Sequence, residues 1–538
     1  MSSAKSTDYE AIIIGAGVCG IYMLYRMLGL GIKVTVLEAG DGPGGTWFWN
    51  RYPGARFDSE SWSYGYSFSQ ELLQEWSWSE HFAGQPETLS YLNYVVDKFD
   101  LRDHMQFKCK VKSAAFDEAE SVWNVTLEDG RTFTTRFLLT AIGMLSAATL
   151  PRIEGIDTFE GQAFHTYYWP HESVSFENKR VAVIGTGATG VQVISAIADQ
   201  VGELTVFQRR PNWCAPLHNS PIDPETMDKI KASYDEIFAR CMETPGAFIH
   251  GPDKRGYHDL TEAERLEFWE TIYNTPGFEV WLGNFREVFM DPEINAEYSA
   301  FIANKIRQRV HDPEVAEMLI PKDHGFGTRR VPLETRYYEA YNRDNVHLVD
   351  INAEPIERIT PGGIRTSKQE YEFDLIIYAT GFDAITGAFD RIEFTGREGR
   401  KLFDKWRDGP VTYLGVQTAG FPNLITLAGP QSASVSTNFP RGIEDIVDWT
   451  TDLIKYMRDH GLKTVDAADD AEEGWTTHVK SMYDGSLVTT TKSWFTGYNS
   501  NVEGHDKLRY MVYFGGAPKY RKSLSEAAEH GYEGFIFK

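Results

Sequence analysis

Residues 9–20 of the chain read YEAIIIGAGVCG, and this stretch decides the fold. The apolar run at residues 11–14 predicts a buried strand, and the Gly-x-Gly-x-x-Gly pattern after it predicts a tight turn into a helix. In such a turn Gly15 permits the sharp bend, Gly17 leaves room for a diphosphate, and Gly20 lets the helix pack close to the strand. The N–H groups at the start of the helix face the anion, so the stretch predicts a dinucleotide site.

A second strand and an acidic residue strengthen this prediction. Residues 33–37, KVTVL, are rich in β-branched side chains and lead directly into Glu38. A carboxylate at that place accepts hydrogen bonds from ribose hydroxyls. A glycine turn that binds no ligand is the alternative, and the combination of strand, helix and acid argues against it.

The same pattern recurs later in the chain with one informative difference. Residues 181–184, VAVI, precede GTGATG at residues 185–190. Gln208 takes the position equivalent to Glu38, 23 residues beyond the first glycine in each copy (208 − 185 and 38 − 15), and Arg209-Arg210 follows it. A guanidinium binds a ribose 2′-phosphate that a carboxylate would repel. The first site is therefore predicted to bind FAD and the second NADPH, with a solvated arginine pair as the alternative for Arg209-Arg210.

Composition and charge exclude several other classes of function. The 538 residues suggest two or three domains, and the net charge of −24 disfavours nucleic acid as a partner. The sequence has no Cys-x-x-Cys pair, no His-Glu-x-x-His motif and no compact His/Cys group, so we predict neither a redox dithiol nor a metal site. Residues 1–10 lack the apolar core of a secretory signal, and no apolar run has the length of a membrane span, so we expect a cytoplasmic protein.

Two dinucleotide sites in one chain predict that electrons pass from a nicotinamide to a flavin. Disulfide reductases of similar architecture need a cysteine pair, and the four cysteines of this chain are widely spread. Molecular oxygen is then the natural acceptor.

The segment between the two sites narrows the function. Residues 159–170 read FEGQAFHTYYWP, which is the pattern Phe-x-Gly-x-x-x-His-x-x-x-Trp-Pro. Its defining residues are Phe159, Gly161, His165, Trp169 and Pro170. With this motif the chain resembles the Baeyer–Villiger monooxygenases, whose fingerprint it matches in full. Related flavin monooxygenases that oxidise nitrogen and sulfur have a similar motif without the final Trp-Pro.

The resemblance extends from residue 9 to about residue 500. Residues 44–56, GGTWFWNRYPGAR, are similar to the family's flavin-covering loop, and residues 325–332, GFGTRRVP, to its active-site arginine segment. Residues 379–383, ATGFD, are similar to the strand end that joins the domains, and residues 493–497, SWFTG, to the mobile loop that folds over NADPH. Residues 429–439 are similar to a loop that reaches the flavin and the substrate.

The resemblance implies roles for individual side chains. Arg330 is the catalytic candidate, because a fixed cation beside a developing oxyanion lowers the barrier and arginine stays protonated. Asp58 is expected to orient Arg330, and Arg329 to contact the 2′-phosphate. His165 is expected to couple domain movement to cofactor binding, with a structural histidine as the simpler alternative, and Trp169 to be a packing anchor. An ordinary helix-cap or surface arginine is the alternative for Arg330.

The full set of expected site residues is larger. Besides the catalytic pair, cofactor contacts are expected from Gly15, Gly17, Val18, Gly20, Glu38, Thr46, Trp47, Phe48, Trp49, Arg56, Phe57, Asp58, Tyr64, Val111, Thr186, Gly187, Ala188, Thr189, Gly190, Gln192, Arg209, Arg210, Arg329, Arg330, Phe439 and Trp494. Trp47, Trp49 and Tyr64 have core packing as their alternative, because aromatic residues make up 14% of the chain. Trp494 is expected to be an exposed loop aromatic.

The predicted fold is α/β, with two doubly wound, Rossmann-like dinucleotide-binding domains and a helical insertion. The FAD-binding domain is expected at residues 1–144 and 384–538, and the NADP-binding domain at residues 145–215 and 325–383. The helical insertion is expected at residues 216–324, because the sequence from Asp223 to about Ile320 has helical periodicity.

We therefore predict a Baeyer–Villiger monooxygenase that uses FAD, NADPH and molecular oxygen to convert ketones to esters or lactones, via a flavin peroxide and a tetrahedral adduct stabilised by Arg330. The nearest alternative is a flavin-containing N- or S-oxygenase on the same fold, and an NADPH oxidase or redox sensor is one of another class. A small ketone is the only partner expected, without nucleic acid, membrane or obligate protein partner. Two departures from the family, Phe57 in place of a frequent cysteine and residues 497–504, GYNSNVEG, are expected near the substrate chamber.

Overall fold

Two parallel sheets organise the chain, and each contains one of the strands that lead into a glycine motif. The computed structural model describes residues 7–538. The expectations that cover residues 1–6, on a secretory signal and on the start of the FAD-binding domain, therefore lie outside the described residues. In chain order the strands are β1 Tyr9–Ile14, β2 Val34–Leu37, β3 Met105–Gln106, β4 Val111–Asp117, β5 Val122–Leu127, β6 Thr132–Thr140, β7 Gln162–His165, β8 Arg180–Ile184, β9 Glu203–Gln208, β10 Ala215–Pro216, β11 Leu333–Glu334, β12 Val346–Asp350, β13 Ile356–Thr360, β14 Gly363–Thr366, β15 Glu370–Glu372, β16 Leu375–Tyr378, β17 Glu393–Thr395, β18 Leu424–Thr426, β19 Val465–Ala467 and β20 Phe535–Phe537.

Helices cover the faces of these sheets and form the region between β10 and β11. They are α1 Val18–Gly29, α2 Thr46–Trp49, α3 Ser61–Tyr64, α4 Gln70–Glu75, α5 Gln85–Lys98, α6 Ala188–Ile197, α7 Pro224–Ala232, α8 Tyr234–Glu243, α9 Glu262–Asn274, α10 Glu279–Leu282, α11 Pro292–Arg309, α12 Pro313–Leu319, α13 Tyr337–Ala340, α14 Gly387–Asp390, α15 Leu402–Lys405, α16 Phe439–Asp459, α17 Asp469–Ser481 and α18 Ala517–Glu529. Among residues 7–538, no helix combines the length and the apolar character needed to cross a lipid bilayer.

The first sheet is built around β1 and β6. Its parallel strands lie in the order β3-β2-β1-β6-β18, and an antiparallel extension of β5 and β4, with β17 alongside β4, attaches to the same edge of β6 as β18. The strand β6 serves both partners because residues 132–135 pair with β5 and residues 138–140 pair with β18. Residues from the C-terminal part of the chain therefore complete the sheet that begins at its N-terminus.

The second sheet repeats the same winding. Its order is β12-β9-β8-β16-β7, and every pairing in it is parallel. In both sheets the strand that carries a glycine motif lies at the centre, which is the doubly wound arrangement that binds nucleotides beyond the strand ends. The predicted α/β fold with two Rossmann-like domains is confirmed.

The glycines at the two turns are required by close backbone contacts. Gly15 has φ +102° and Gly185 has φ +109°, which side chains rarely adopt. A Cβ on Gly15 would lie 2.5 Å from the Ala141 carbonyl oxygen, and a Cβ on Gly185 would lie 2.4 Å from that of Ala379. Since Ala141 follows β6 and Ala379 follows β16, each turn is pressed against the neighbouring central strand.

Three helices of the region between β10 and β11, α7, α11 and α12, begin at Asp-Pro pairs. Asp223, Asp291 and Asp312 each accept hydrogen bonds from backbone N–H groups of the first turn, and each is followed by a proline at the first helical position. Both features favour a helix start, because the aspartate satisfies free donors and proline has none to satisfy. The helical periodicity found in the sequence here thus corresponds to α7 through α12.

Candidate active site

The first glycine turn is bordered by the buried carboxylate of Glu38. Its Oε2 accepts a hydrogen bond from the Ala16 N–H (2.7 Å), and its Oε1 accepts one from the Gly40 N–H (2.8 Å). Burial raises the pKa of Glu38, while the backbone N–H groups of Ala16 and Gly40 oppose that rise. The acid lies at the end of β2, beside the turn, where the sequence predicts the ribose contact.

The segment at residues 44–49 closes over the first turn. A Cβ on Gly45 would lie 2.7 Å from the Cα of Gly17, so the two glycines are in backbone contact. The side chain of Trp47 is buried and donates a hydrogen bond from Nε1 to the Tyr64 hydroxyl (3.1 Å). Only glycines allow this approach, which brings α2 and its aromatic side chains against the predicted FAD site.

Phe57 lies in the core of the molecule. Its ring stacks on that of Tyr64 with centroids 4.2 Å apart, and it meets the rings of Trp47 and Trp78 edge-on. Phe57 and Trp47 belong to the main buried cluster of the first sheet, and Tyr64 packs against it. The side chain of Phe57 is thus buried among aromatic rings, and its expected place near the substrate chamber stays a prediction.

Other residues predicted around FAD occupy three places. Gly15, Gly17, Val18, Gly20, Thr46, Phe48 and Trp49 lie on the first turn, on α1 and on α2. Val111 begins β4 and is buried with Ile14 and Leu37 at the ends of β1 and β2. Phe439 is the first residue of α16 and is half-buried against the main cluster.

Two predicted cofactor residues bond elsewhere in the protein. The guanidinium of Arg56 donates to Glu80 Oε2 (3.0 Å) and to the Phe82 carbonyl oxygen (2.9 Å). The Gln192 side chain accepts from the Tyr52 hydroxyl (2.8 Å) and donates to the Arg56 carbonyl oxygen (3.0 Å). Gln192 lies on α6 of the second sheet and its partners lie in the loop after α2, so these side chains join the two nucleotide-binding regions.

Three arginines from two distant segments meet at the second site. Arg210 Nε and Arg329 Nη2 lie 3.7 Å and 3.8 Å from the same oxygen of Asp323. Burial lowers the pKa of the Arg329 guanidinium, and repulsion from Arg210 and Arg209 opposes the attraction of Asp323. Asp323 thus lies near two of the three arginines and also bonds to His324, and the buried Nε of Arg329 has no hydrogen-bond partner among residues 7–538. Such an excess of positive charge fits an anion such as a 2′-phosphate.

Asp323 is the member of this group that sequence reasoning missed. Neither a glycine pattern nor a family segment includes it, and its role depends on contacts that form only in the folded chain. A cavity of about 520 Å³ opens beside it, lined also by Thr328 and Trp213. Its lining contains neither the three arginines nor Arg330 and Asp58, so the cavity meets the second site only at Asp323.

The catalytic candidates form an ion pair. Arg330 Nη2 lies 2.7 Å from Asp58 Oδ2, and the same oxygen accepts a hydrogen bond from the Leu333 N–H (3.1 Å). The Asp58 side chain is fully buried, whereas that of Arg330 is 30% exposed. The Arg330 guanidinium carbon lies 5.8 Å from the ring centroid of Phe278. The arginine is therefore held from two sides, which disfavours the alternative of an ordinary surface residue.

The fingerprint motif contacts the segment that joins the domains. His165 ends β7 opposite Tyr378 of β16, and its ring centroid lies 6.0 Å from that of Phe382. Its Nδ1 accepts a hydrogen bond from the Tyr167 N–H (3.1 Å), and burial lowers its pKa to about 4. A neutral, buried ring fits a structural role better than acid–base catalysis. Trp169 is buried and packs nearby as a hydrophobic anchor.

The predicted mobile loop differs from expectation in the environment of Trp494. Trp494 is half-buried on a short 3-10 helix, with its ring centroid 4.3 Å from that of the buried Phe495, so the expectation of an exposed aromatic is wrong. Residues 497–504 lie against the inter-domain segment, since Asn499 Nδ2 donates to the Phe382 carbonyl oxygen (2.9 Å). In the same loop Arg209 donates to Ser500 Oγ (2.6 Å). The loop thus contacts the inter-domain segment and Arg209, and its expected place near the substrate chamber stays a prediction.

One cluster of acidic and histidine side chains was not visible in the sequence. Asp383, Asp390 and His505 bring ligand-type atoms within 4.8 Å of one another. His505 Nδ1 bonds to Asp383 Oδ1 (2.9 Å), and its Nε2 lies 3.0 Å from Arg509 Nη1. The guanidinium of Arg509 already supplies positive charge to this cluster, which joins residues after β16 to the loop that precedes α18.

Two alanine substitutions in the second turn should separate folding from nucleotide binding. A Cβ on Gly187 meets no protein atom within 4 Å, whereas a Cβ on Gly190 would lie 2.2 Å from the Gly185 carbonyl oxygen. We expect Gly187→Ala to leave the thermal midpoint nearly unchanged and to weaken NADP⁺ binding at least about tenfold, because the methyl group occupies the space of the phosphates. Gly190→Ala should lower both the thermal midpoint and the affinity for NADP⁺. Thermal unfolding and equilibrium titration measure the two effects, and unchanged NADP⁺ affinity in Gly187→Ala would contradict the assignment of this turn.

Comparisons with known proteins agree with this geometry. A family model described as pyridine nucleotide-disulphide oxidoreductase matches residues 12–244, although the four cysteines are free and buried. The chain is 46% identical over 540 residues to 2-oxo-Delta(3)-4,5,5-trimethylcyclopentenylacetyl-CoA monooxygenase of Pseudomonas putida, covering 99% of each chain. It is 41% identical to acetone monooxygenase (methyl acetate-forming) of Gordonia sp. (strain TY-5), again over 99% of each.

A further relative and a solved structure extend the comparison. The chain is 39% identical to phenazine N-monooxygenase of Lysobacter antibioticus, covering 100% of this chain and 98% of that protein. The crystal structure of OTEMO in complex with FAD and NADP superposes with a TM-score of 0.96 at 45% identity, covering 99% of this chain and 100% of that one.

Proposed function

Because the chain belongs to the Baeyer–Villiger monooxygenases, we propose that the Arg330–Asp58 pair is the place where it acts on the carbonyl group of a ketone. The protein is an NADPH-dependent flavoprotein monooxygenase that converts ketones to esters or lactones with molecular oxygen. Bound FAD, once reduced by NADPH, supplies the activated oxygen atom for this reaction.

The residues present fit both nucleotides. The turn at residues 15–20 and Glu38 would hold the pyrophosphate and a ribose of FAD, because the glycines leave the space and the acid borders it. The turn at residues 185–190 would hold the pyrophosphate of NADPH. Arg209-Arg210 and Arg329 would hold its 2′-phosphate, since Asp323 leaves their charge in excess.

The proposed role of Arg330 is to stabilise negative charge. As the ketone carbonyl is attacked, charge accumulates on its oxygen, and a guanidinium held in a partly buried site lowers the energy of that state. One such donor contributes about 3–4 kcal/mol to catalysis. Asp58 forms an ion pair with one Nη of Arg330, so it holds the guanidinium in place and leaves the other donors for the substrate.

One observation carries this proposal. The ion pair joins a fully buried Asp58 side chain to an Arg330 side chain that is 30% exposed, at 2.7 Å. Asp58 Oδ2 is also fixed by the Leu333 N–H, so the carboxylate cannot turn away without losing that hydrogen bond. An arginine held so firmly and still partly open suits a catalytic cation that must meet a substrate.

The test of the function uses the purified holoenzyme. FAD is reduced anaerobically with NADPH, and air-saturated buffer is then added with a panel of linear, cyclic and aryl ketones. We expect esters or lactones from at least one ketone, identified by mass spectrometry, in amounts that approach the NADPH consumed. Hydrogen peroxide in a one-to-one ratio to NADPH with every ketone would contradict the proposal and favour an NADPH oxidase.

A second candidate activity is oxidation at nitrogen or sulfur. The 39% identical relative is a phenazine N-monooxygenase, and its match covers this whole chain. Amines, phenazines and sulfides therefore belong in the same panel. N-oxides formed faster than any ester would favour this alternative.

Preference for NADPH over NADH provides a separate prediction. Replacing Arg209 and Arg329 by glutamine removes two of the three arginines at the second site and should lower kcat/KM for NADPH by at least about a hundredfold, because each charge-assisted hydrogen bond contributes about 1.5–3 kcal/mol. The value for NADH should change less than about threefold, since NADH has no 2′-phosphate. Steady-state kinetics with both cofactors measure the ratio. Arg180→Gln, which breaks an exposed ion pair at the start of β8, is the control, and equal losses with NADH and NADPH would refute the assignment.

The remaining elements of the proposal concern partners, location and domain limits. We propose a small ketone as the only required partner and the cytoplasm as the location, supported by the net charge of −24 and by four cysteines that are free and buried. The domain limits also stay a proposal: residues 1–144 and 384–538 for FAD, 145–215 and 325–383 for NADP, and 216–324 for the insertion.

A further inference from the structure

A buried charged triad lies close to the Arg330–Asp58 pair along the chain. His250 Nε2 lies 2.5 Å from Glu60 Oε1, and His250 Nδ1 lies 2.6 Å from Glu279 Oε2. His250 and Glu60 are buried, and Glu279 is partly exposed. These three residues are called the Glu60–His250–Glu279 triad below. Both ring nitrogens face carboxylates, so a doubly protonated imidazole donates to both.

The two glutamates of the triad are neighbours of the two residues that hold Arg330. Glu60 comes two residues after Asp58 and directly precedes α3, and Glu279 is the first residue of α10 and follows Phe278. Asp58 binds the Arg330 guanidinium, and the Phe278 ring lies beneath it. His250 thus connects the segment on one side of Arg330 to the segment on the other.

The surroundings of His250 favour its charged form. Burial lowers the pKa of His250, but hydrogen bonds and attraction from Glu279 and Glu60 outweigh it and raise the pKa to about 9. Gly277 covers the contact, since a Cβ there would lie 2.4 Å from Glu60 Oε1 and 2.9 Å from His250 Nε2.

Other titratable side chains interact through their charges with the residues around the triad. Cys241 and Arg240 lie on α8. Burial raises the pKa of the Cys241 thiol to about 11, and the charges of Arg441 on α16, Glu60 and Arg240 also act on it. His81 comes from the loop before α5, and Glu60 acts on it through its charge. Neither His81 nor Arg240 takes the place of His250 between the carboxylates of Glu60 and Glu279.

We propose that Glu60, His250 and Glu279 are positioning residues, which clamp the segments of Asp58 and Phe278 together so that Arg330 faces the reacting carbonyl. The inference rests on the proposed role of Arg330 and adds a condition to it. The guanidinium is effective only while His250 carries its proton, because the buried carboxylate of Glu60 and the partly exposed one of Glu279 repel each other without a cation between them.

The raised pKa of His250 decides how the stabilisation by the triad depends on pH. The pKa of His250 is raised from 6.5 in the unfolded chain to about 9 in the folded protein. The stabilisation by the triad is therefore fully present below pH 6.5 and is lost as the pH rises through about 9. We expect the yield of ester per NADPH consumed to fall over the upper part of this range and peroxide release to rise.

Two variants and a control test the proposal with the holoenzyme. Glu279→Gln keeps a hydrogen bond to His250 but removes one charge, and His250→Gln removes the cation. Glu472→Gln is the matched control, because Glu472 also has a buried carboxylate in an ion pair, with Lys405 on the first-sheet side of the protein. For each protein we measure the thermal midpoint, the anaerobic rate of FAD reduction, kcat and KM for a ketone, and ester yield per NADPH between pH 7 and 10.

The expected results separate positioning from mere stability. Both triad variants should lose roughly ten- to a hundredfold in kcat for the ketone, with little change in KM or in the rate of FAD reduction. The alkaline fall in ester yield should move to lower pH in Glu279→Gln and disappear in His250→Gln. Glu472→Gln should lose stability but keep the wild-type yield and pH profile.

The proposal is overturned if Glu279→Gln keeps the wild-type ester yield and the same alkaline limb; this variant decides the matter even if His250→Gln does not fold. A failure of the underlying function is recognised differently. In that case Arg330→Ala would still form esters at the wild-type rate, whatever the triad variants do.

Discussion

Arg330→Ala will reduce ester formation by roughly a hundred- to a thousandfold while FAD is still reduced by NADPH. The side chain is the cation that Asp58 holds at 2.7 Å, and the substitution removes every donor that could meet the developing negative charge. Loss of one such stabilising group reduces catalysis by roughly a hundred- to a thousandfold. Reduction of FAD requires the nicotinamide and not the ketone, so its rate should change little.

The measurement combines anaerobic stopped-flow reduction with product analysis in air. NADPH consumed by Arg330→Ala should reappear as hydrogen peroxide. Arg26→Ala is a matched control, because the Arg26 side chain is 29% exposed, close to the 30% of Arg330, and also forms an ion pair, with Asp448. Ester formation by Arg330→Ala at the wild-type rate would exclude the role assigned to Arg330.

Asp58→Ala will lower ester formation by about a hundredfold and will also destabilise the protein. The substitution leaves the Leu333 N–H without its acceptor inside the protein, which costs about 1–3 kcal/mol, and it frees Arg330 to turn. Asp58→Asn keeps the shape of the side chain and can still accept from Leu333. We expect it to recover most of the stability but only a small part of the activity.

Thermal unfolding and ketone kinetics distinguish these two contributions. If the carboxylate charge orients Arg330, the two variants differ in thermal midpoint and resemble each other in kcat. Equal activity of Asp58→Asn and the wild type would mean that the charge of Asp58 has no part in the reaction.

The sequence was sufficient for the parts of the molecule that depend on local backbone geometry. A turn with φ near +100° that touches a neighbouring carbonyl accepts only glycine, so Gly15 and Gly185 reveal both nucleotide turns and, with their strands, the fold. The difference between Glu38 and Gln208 was also informative, because it changes a charge at a known place in the turn.

The proposed catalytic pair could be predicted only through resemblance to a family. Asp58 and Arg330 are far apart in the chain, and no periodicity or propensity joins them. The contact depends on how the loop before α3 meets the segment before β11. Without the family pattern, Arg330 has the same local features as a surface arginine.

Sequence reasoning failed where packing between distant segments decides the environment. Trp494 was expected to be exposed because polar residues and glycine surround it, yet Phe495 and its neighbours cover it. Asp323 and the partners of His250 come from separate segments and carry no motif of their own. Their importance becomes visible only when the charges that face them are known.

The divided edge of β6 has a consequence for the order of synthesis. Its second half pairs with β18, at residues 424–426, so nearly three hundred residues must follow β6 before that edge has its partner. All five strands of the second sheet, which end at Tyr378, leave the ribosome within this interval. The second sheet can therefore assemble while the first sheet still presents open backbone groups along the second half of β6. A chain truncated before residue 424 would keep that edge free to pair with another molecule.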